Sequence, residues 1–168
     1  QWMTAGKGIL HQEMPQASER MLGAQLWVNL PKKDKMTVPE YRDLTRDQIP
    51  VVEHDGARVR VISGTYDGVP GATMGDYVRI NYFDLELAPG ATWNFATDPA
   101  HTVFVYIVDG SGAFGGDGMV YPRRRALLFG AGDALAATAG PEGLRCFVYT
   151  GAPLREPIAW GGPIVMNT

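Results

Sequence analysis

Alternation with a period of two, cut repeatedly by glycine and proline, most limits what this chain can become. Along residues 77–87, Val78, Ile80, Tyr82, Asp84 and Glu86 fall on one side. Asn81, Phe83, Leu85 and Leu87 fall on the other. Successive side chains leave opposite faces only in a strand. Pro89-Gly90 then closes the run with a turn dipeptide. Residues 102–108 are rich in β-branched and aromatic side chains and reach Asp109-Gly110, a pair that predicts a hairpin. Residues 126–129 end at Gly130-Ala131-Gly132-Asp133, and residues 144–150 end at Gly151. Residues 58–63 and 22–30 read as two more strands. Glycine and proline number 21 and 12 of 168, so tight turns are frequent and an all-helical fold is excluded. Strands spaced by roughly 8 to 20 residues predict a β-sandwich or barrel. Only residues 38–48 offer helical pattern. Thr45-Arg46-Asp47-Gln48 has capping-box spacing, but Ile49-Pro50 stops it, so a turn or short 3₁₀ piece is expected.

Length and charge narrow the function classes. A chain of 168 residues makes one domain or two small ones and can bury a core without disulfides. Hydrophobic residues at 45% with a net charge of −3 exclude a disordered chain. No basic excess exists for gripping phosphates, so direct nucleic-acid binding is not expected. No apolar run approaches the roughly 20 residues of a membrane-spanning helix, and no membrane role is expected. The single cysteine, Cys146, points to a reducing, cytoplasmic compartment. The chain opens at Gln1 without a leader pattern and stops soon after Pro163-Ile164-Val165-Met166, which reads as part of a longer chain. Four segments are expected: a β segment (1–30), a polar linker (31–56), a β domain (57–150) and a tail (151–168).

Few residues could carry chemistry. His11 and Glu13 are two apart, so in a strand an imidazole and a carboxylate would share one face. Nitrogen and oxygen donors of this kind suit iron, manganese, nickel or zinc, although two ligands alone bind weakly. The same pair also reads as an ordinary surface couple. His101 has Val103 two residues on and no second ligand beside it, while His54 sits in the polar linker. Cys146, inside an apolar strand, reads as a buried structural thiol. Arg123-Arg124-Arg125 reads as a solvated edge. The glycine-rich run 110–118 lacks a helix behind it, so it reads as a hairpin connection rather than a phosphate loop. Trp2, Met3, Met14 and Trp27 could line a pocket or pack a core, and packing is the stronger reading.

The run Gln1-Trp2-Met3-Thr4-Ala5-Gly6-Lys7-Gly8-Ile9-Leu10-His11-Gln12-Glu13-Met14-Pro15 resembles the signature segment of the pirin family. Gln25-Leu26-Trp27-Val28-Asn29-Leu30 resembles the next family block. Gly151-Ala152-Pro153-Leu154-Arg155-Glu156-Pro157-Ile158 and Gly162-Pro163-Ile164-Val165-Met166-Asn167-Thr168 resemble two more, in family order.

The resemblance implies an all-β bicupin of two cupin-type double-stranded β-helix barrels. The N-terminal barrel would be incomplete here, with residues 1–30 as its last part, 57–150 as the second barrel and 151–168 returning toward the first. It implies Fe(II) or another divalent metal held by three histidines and a glutamate, with His11 and Glu13 as two of the four. The other two histidines belong to a segment upstream, so this chain alone is expected to hold metal poorly and to be inactive. In the second barrel the ligand places read His101-Thr102-Val103, then residues 106–108 without a carboxylate, then Ala134, Leu135 and Ala136. An apolar pocket without metal is expected there. The activity implied for the longer protein is quercetin 2,3-dioxygenase chemistry on a flat aromatic flavonol. Glu13 would be both ligand and proton acceptor, its basicity raised by burial. The alternative is a redox-responsive regulator that binds a transcription factor or a metabolic enzyme as its protein partner.

Overall fold

The structure, a computed structural model, describes residues 1–116 and 118–168. It contains no α-helix among the described residues, only 3₁₀ turns at Lys32–Asp34 and Arg46–Gln48. The second turn lies where a short 3₁₀ piece was expected, and Gln48 Oε1 accepts the Thr45 N–H at 2.8 Å. In chain order the early strands are β1 (Trp2–Thr4), β2 (Glu40–Arg42), β3 (Val51–His54), β4 (Ala57–Ser63), β5 (Thr65–Tyr66) and β6 (Val69–Pro70). β7 (Ile80–Leu87), β8 (Thr92–Ala96), β9 (Thr102–Phe114), β10 (Val120–Pro122) and β11 (Ala126–Leu128) follow. β12 (Ala134–Gly151), β13 (Ala159–Gly161) and β14 (Ile164–Met166) complete the set.

Two compact units divide the chain: Gln1–Asp43 with Leu154–Thr168, and Leu44–Pro153. In the first, β1 pairs antiparallel with β2, and β13 with β14. Polar ties replace a large core. The buried Lys35 Nζ donates to Asn29 Oδ1 and to the Val165 carbonyl, at 2.9 Å for the latter. The Lys32 N–H and the Asn167 side chain both donate to Glu156 Oε2, at 2.7 and 3.2 Å.

The second unit is built on an antiparallel sheet in the order β10-β9-β12-β7-β4-β3, with β11 added to β9 and β8 to β12, and carries the separate β5–β6 pair. Its alternation follows the sequence closely. Val59 and Val61 on β4, Phe83 and Leu85 on β7, Val105 and Ile107 on β9, and Cys146 and Val148 on β12 all point inward and are fully buried. The sheet curls so that its two halves face each other. Phe83 on β7 meets Phe95 on β8 edge to face, 5.1 Å between ring centres, although these strands are not paired. Tyr66 joins them: its hydroxyl accepts from Trp93 Nε1 at 2.8 Å and lies 3.2 Å from His54 Nε2.

On the opposite face of β4, β7 and β12 runs an ionic cluster. Arg145 donates twice to the buried Asp84, at 3.0 and 2.8 Å, and Arg60 reaches Asp84 and Glu86 at 3.3 and 2.8 Å. The hydrogen bonds to Asp84 hold the Arg145 guanidinium above its ordinary basicity.

Three expectations need correction. Residues 22–30 form no strand, since no described strand runs beside them to complete a ladder. His11 and Glu13 likewise lie outside any strand, so period-two geometry does not bring them together. Asp109-Gly110 does not turn the chain, because β9 runs straight through it. Gly110 takes φ +69° opposite the irregularity between Ala139 and Leu144 of β12. A Cβ on Gly110 would stand 2.1 Å from the Gly143 carbonyl oxygen, so the glycine serves a close strand approach instead of a hairpin.

Candidate metal centre

The candidate centre is built by β1, β2 and the irregular segment after β1. Its imidazole and carboxylate come together through that segment: His11 Nε2 stands 4.0 Å from Glu13 Oε1. Their side chains are 34% and 53% exposed, so the burial expected for Glu13 is absent. Gln1 Nε2 donates to the same Glu13 oxygen at 2.9 Å. Across the β1–β2 pair, Met3 lies opposite Tyr41. The Tyr41 hydroxyl donates to Asp43 Oδ1 at 2.6 Å. That bond raises the Tyr41 pKa first, with slight desolvation and the charges of Asp43 and Glu13 adding to it. The influence of Glu13 puts the end of β2 within the field of the candidate centre.

A histidine nitrogen and a carboxylate oxygen fit a divalent metal of the first transition row. Among the described residues no group of three or more His, Cys, Asp or Glu gathers at any point, so the pair supplies two positions of a coordination shell. Sequence reasoning named His11 and Glu13 but missed Gln1, Tyr41 and Asp43. Forty residues separate Gln1 from Tyr41, and only the β1–β2 register brings their neighbourhoods together.

The other candidates lie apart from this pair. His54 stacks on Tyr66 with ring planes 7° apart. His101 lies 4.0 Å from Asp98. Cys146 is fully buried, and burial pushes its thiol far up, so it carries no thiolate. Arg123, Arg124 and Arg125 are exposed, with Arg123 at 3.5 Å from Asp109. Residues 110–114 of the glycine-rich run belong to β9, and Asp117 lies outside the described residues. Trp2 and Met3 are partly buried, but Met14 and Trp27 are exposed rather than packed in a core. Trp27 meets Trp160 edge to face at 6.2 Å. No described helix is long and apolar enough to cross a membrane.

Comparison with known proteins places these features in context. A family model described as "Pirin C-terminal cupin domain" matches residues 82–168, and one described as "Pirin" matches residues 1–28. The human protein named Pirin is 40% identical over 174 residues, covering 100% of this chain and 59% of that protein. A tomato (Solanum lycopersicum) pirin-like protein is 38% identical over 170 residues, covering 100% of this chain and 58% of its own length. The chain thus spans under two thirds of these relatives. Among solved structures, a quercetin 2,3-dioxygenase from Acinetobacter baumannii superposes with a TM-score of 0.76. It is 32% identical, over 84% of this chain and 49% of that one. A Geobacillus kaustophilus protein gives 0.70 at 35% identity, over 78% of this chain and 54% of that one.

Proposed function

The chain belongs to the pirin family, with a cupin β-barrel fold, and from that premise we propose a metal-dependent function. In this reading His11 and Glu13 hold two positions on Fe(II) or another divalent metal. The observation that carries it is their approach to 4.0 Å with the carboxylate steadied by Gln1. A bound ferrous ion would supply open positions for an oxygen-donor substrate and dioxygen. The substrate class is a flavonol, and the activity is of the quercetin 2,3-dioxygenase type. Likeness to the Acinetobacter baumannii enzyme supports this.

The chain's own residues then have simple tasks. His11 would donate through a ring nitrogen. Glu13 would bind through a carboxylate oxygen and accept the proton of the substrate hydroxyl. Gln1 fixes the carboxylate plane, as partners of metal-binding carboxylates generally do.

Quercetin turnover in air decides the matter. Iron-loaded protein of the full length of its relatives should bleach the near-visible band of quercetin, and a His11→Ala variant should not. Equal rates for the two would defeat the reading. The 168-residue chain alone should bind Fe(II) weakly, because it presents two donors. A full equivalent of tightly held iron on a polypeptide of this mass would overturn that expectation.

A second reading, a redox-responsive regulator, draws on a different observation. Leu10, Met14, Met21, Leu22 and Trp27 are all exposed, an apolar series suited to a protein partner. Capture of a defined partner by ferric but not ferrous protein, without quercetin loss, would favour it.

A further inference from the structure

The second unit holds a half-open cavity of about 230 Å³ lined by Thr97 just after β8, the two ends of β9, residues 129–132 after β11 and the start of β12. Its walls include Val103, Phe129, Leu135, Ala134 and Ala136. Among the described residues no His, Cys, Asp or Glu side chain lines it, so it offers no donor set for a metal. No charged side chain lines it among the described residues, so an ionic ligand would lose its hydration without a counter-charge. One side-chain hydroxyl does line it. Thr97 Oγ1 donates to the Gly132 carbonyl at 2.9 Å, so its own proton is used and its lone pairs can accept a hydrogen bond from a ligand.

Size and chemistry select one class of occupant. An apolar cavity of about 150 Å³ admits benzene. One of 230 Å³ has room for a single substituted ring but lies below the range of about 300–1,000 Å³ usual for drug-sized ligands. Phe129 offers an aromatic face, and Val103 and Leu135 are nearly fully buried beside it. We propose that this cavity binds one neutral phenolic ring, its hydroxyl donating to Thr97 Oγ1 and its face lying against Phe129, Val103 and Leu135. The site is separate from the candidate metal centre and needs no metal.

Phenol itself is the probe, titrated into metal-free, ¹⁵N-labelled chain. Saturable amide shifts are expected at Thr97, Val103 and residues 129–136. Toluene should bind about tenfold more weakly, the size of effect one hydrogen bond commands. Benzoate should not compete. A Thr97→Val variant should bind phenol and toluene alike. Leu135 lies on the buried face of β12 and lines the cavity, so a Leu135→Trp variant should fill it and lose phenol binding. The absence of saturable shifts would overturn the proposal. So would equal affinity for phenol and toluene in the unaltered protein, or undiminished phenol binding by folded Leu135→Trp. If Leu135→Trp does not fold, the Thr97→Val comparison decides alone. With no iron or quercetin present, failure here leaves the metal reading standing, and the converse holds too.

Discussion

Cys146 was legible as a structural thiol because its neighbours on β12 are apolar, and the structure buries it completely. A thiol held neutral by burial does not attack disulfide reagents. Native protein should therefore show no reaction with a chromogenic disulfide at pH 8, and one equivalent should react in denaturant. Rapid native labelling would contradict this. Tyrosines behave in the same sense. Burial raises the pKa of Tyr149 most, with Tyr82 adding to the rise, and burial also raises Tyr82 and Tyr66. Their folded values lie above the unfolded value of about 10, so the unfolded chain releases protons first as pH climbs. The stability they contribute is complete below about pH 10 and is lost above it. Urea midpoints taken from pH 9 to 12 should fall, and Tyr149→Phe should flatten the slope. A slope unchanged by Tyr149→Phe would remove Tyr149 as its source.

At the level of elements, the strands of the second unit were readable because one face is apolar at every second residue. Val59-Arg60-Val61 and Phe83-Asp84-Leu85 write that pattern directly. What alternation could not say is that Arg60, Asp84 and Arg145 meet across three strands, because register is a pairing property. Asp84 is 5% exposed, and among the described residues the two guanidinium groups beside it hold its carboxylate. Without it, Arg60 and Arg145 keep Glu86 as a partner, at 2.8 and 3.6 Å, on a partly exposed face. Asp84→Ala should cost about 1–3 kcal/mol in urea unfolding, because Glu86 and water still screen the two cations. Replacing Asp84, Arg60 and Arg145 together by apolar residues of similar volume should cost much less. A small loss for Asp84→Ala would mean that water satisfies the cluster. Gly110 shows the limit of dipeptide signals. Asp109-Gly110 carries the composition of a hairpin, yet the same positive φ serves a bulge when a long partner strand is present.

For the molecule as a whole, the two units differ in how they are held. Leu44–Pro153 has a continuous apolar core, whereas Gln1–Asp43 with Leu154–Thr168 relies on short strand pairs and on ties through Lys35 and Glu156. Residues 8–30 carry no strand, and Arg20 among them is exposed. Segments with few buried contacts open at low free-energy cost. Brief trypsin treatment should therefore cut after Arg20 before any bond within Leu44–Pro153 is cleaved, as mass spectrometry of the first fragments would show. Early cleavage inside the second unit would contradict the division.

The sequence by itself determined the strand character of most of the second unit, the alternation along β7 and the buried thiol. These depend on local periodicity and side-chain type, which a linear chain displays openly. Only the tertiary structure decided that residues 22–30 lack a ladder, that Gly110 bends rather than turns, and that Gln1 steadies Glu13. It also decided that Thr97, Val103, Phe129 and Leu135 line one half-open cavity. Each of these rests on which segments lie side by side, and ladder partners, close backbone approaches and enclosed volumes exist only once the chain has folded.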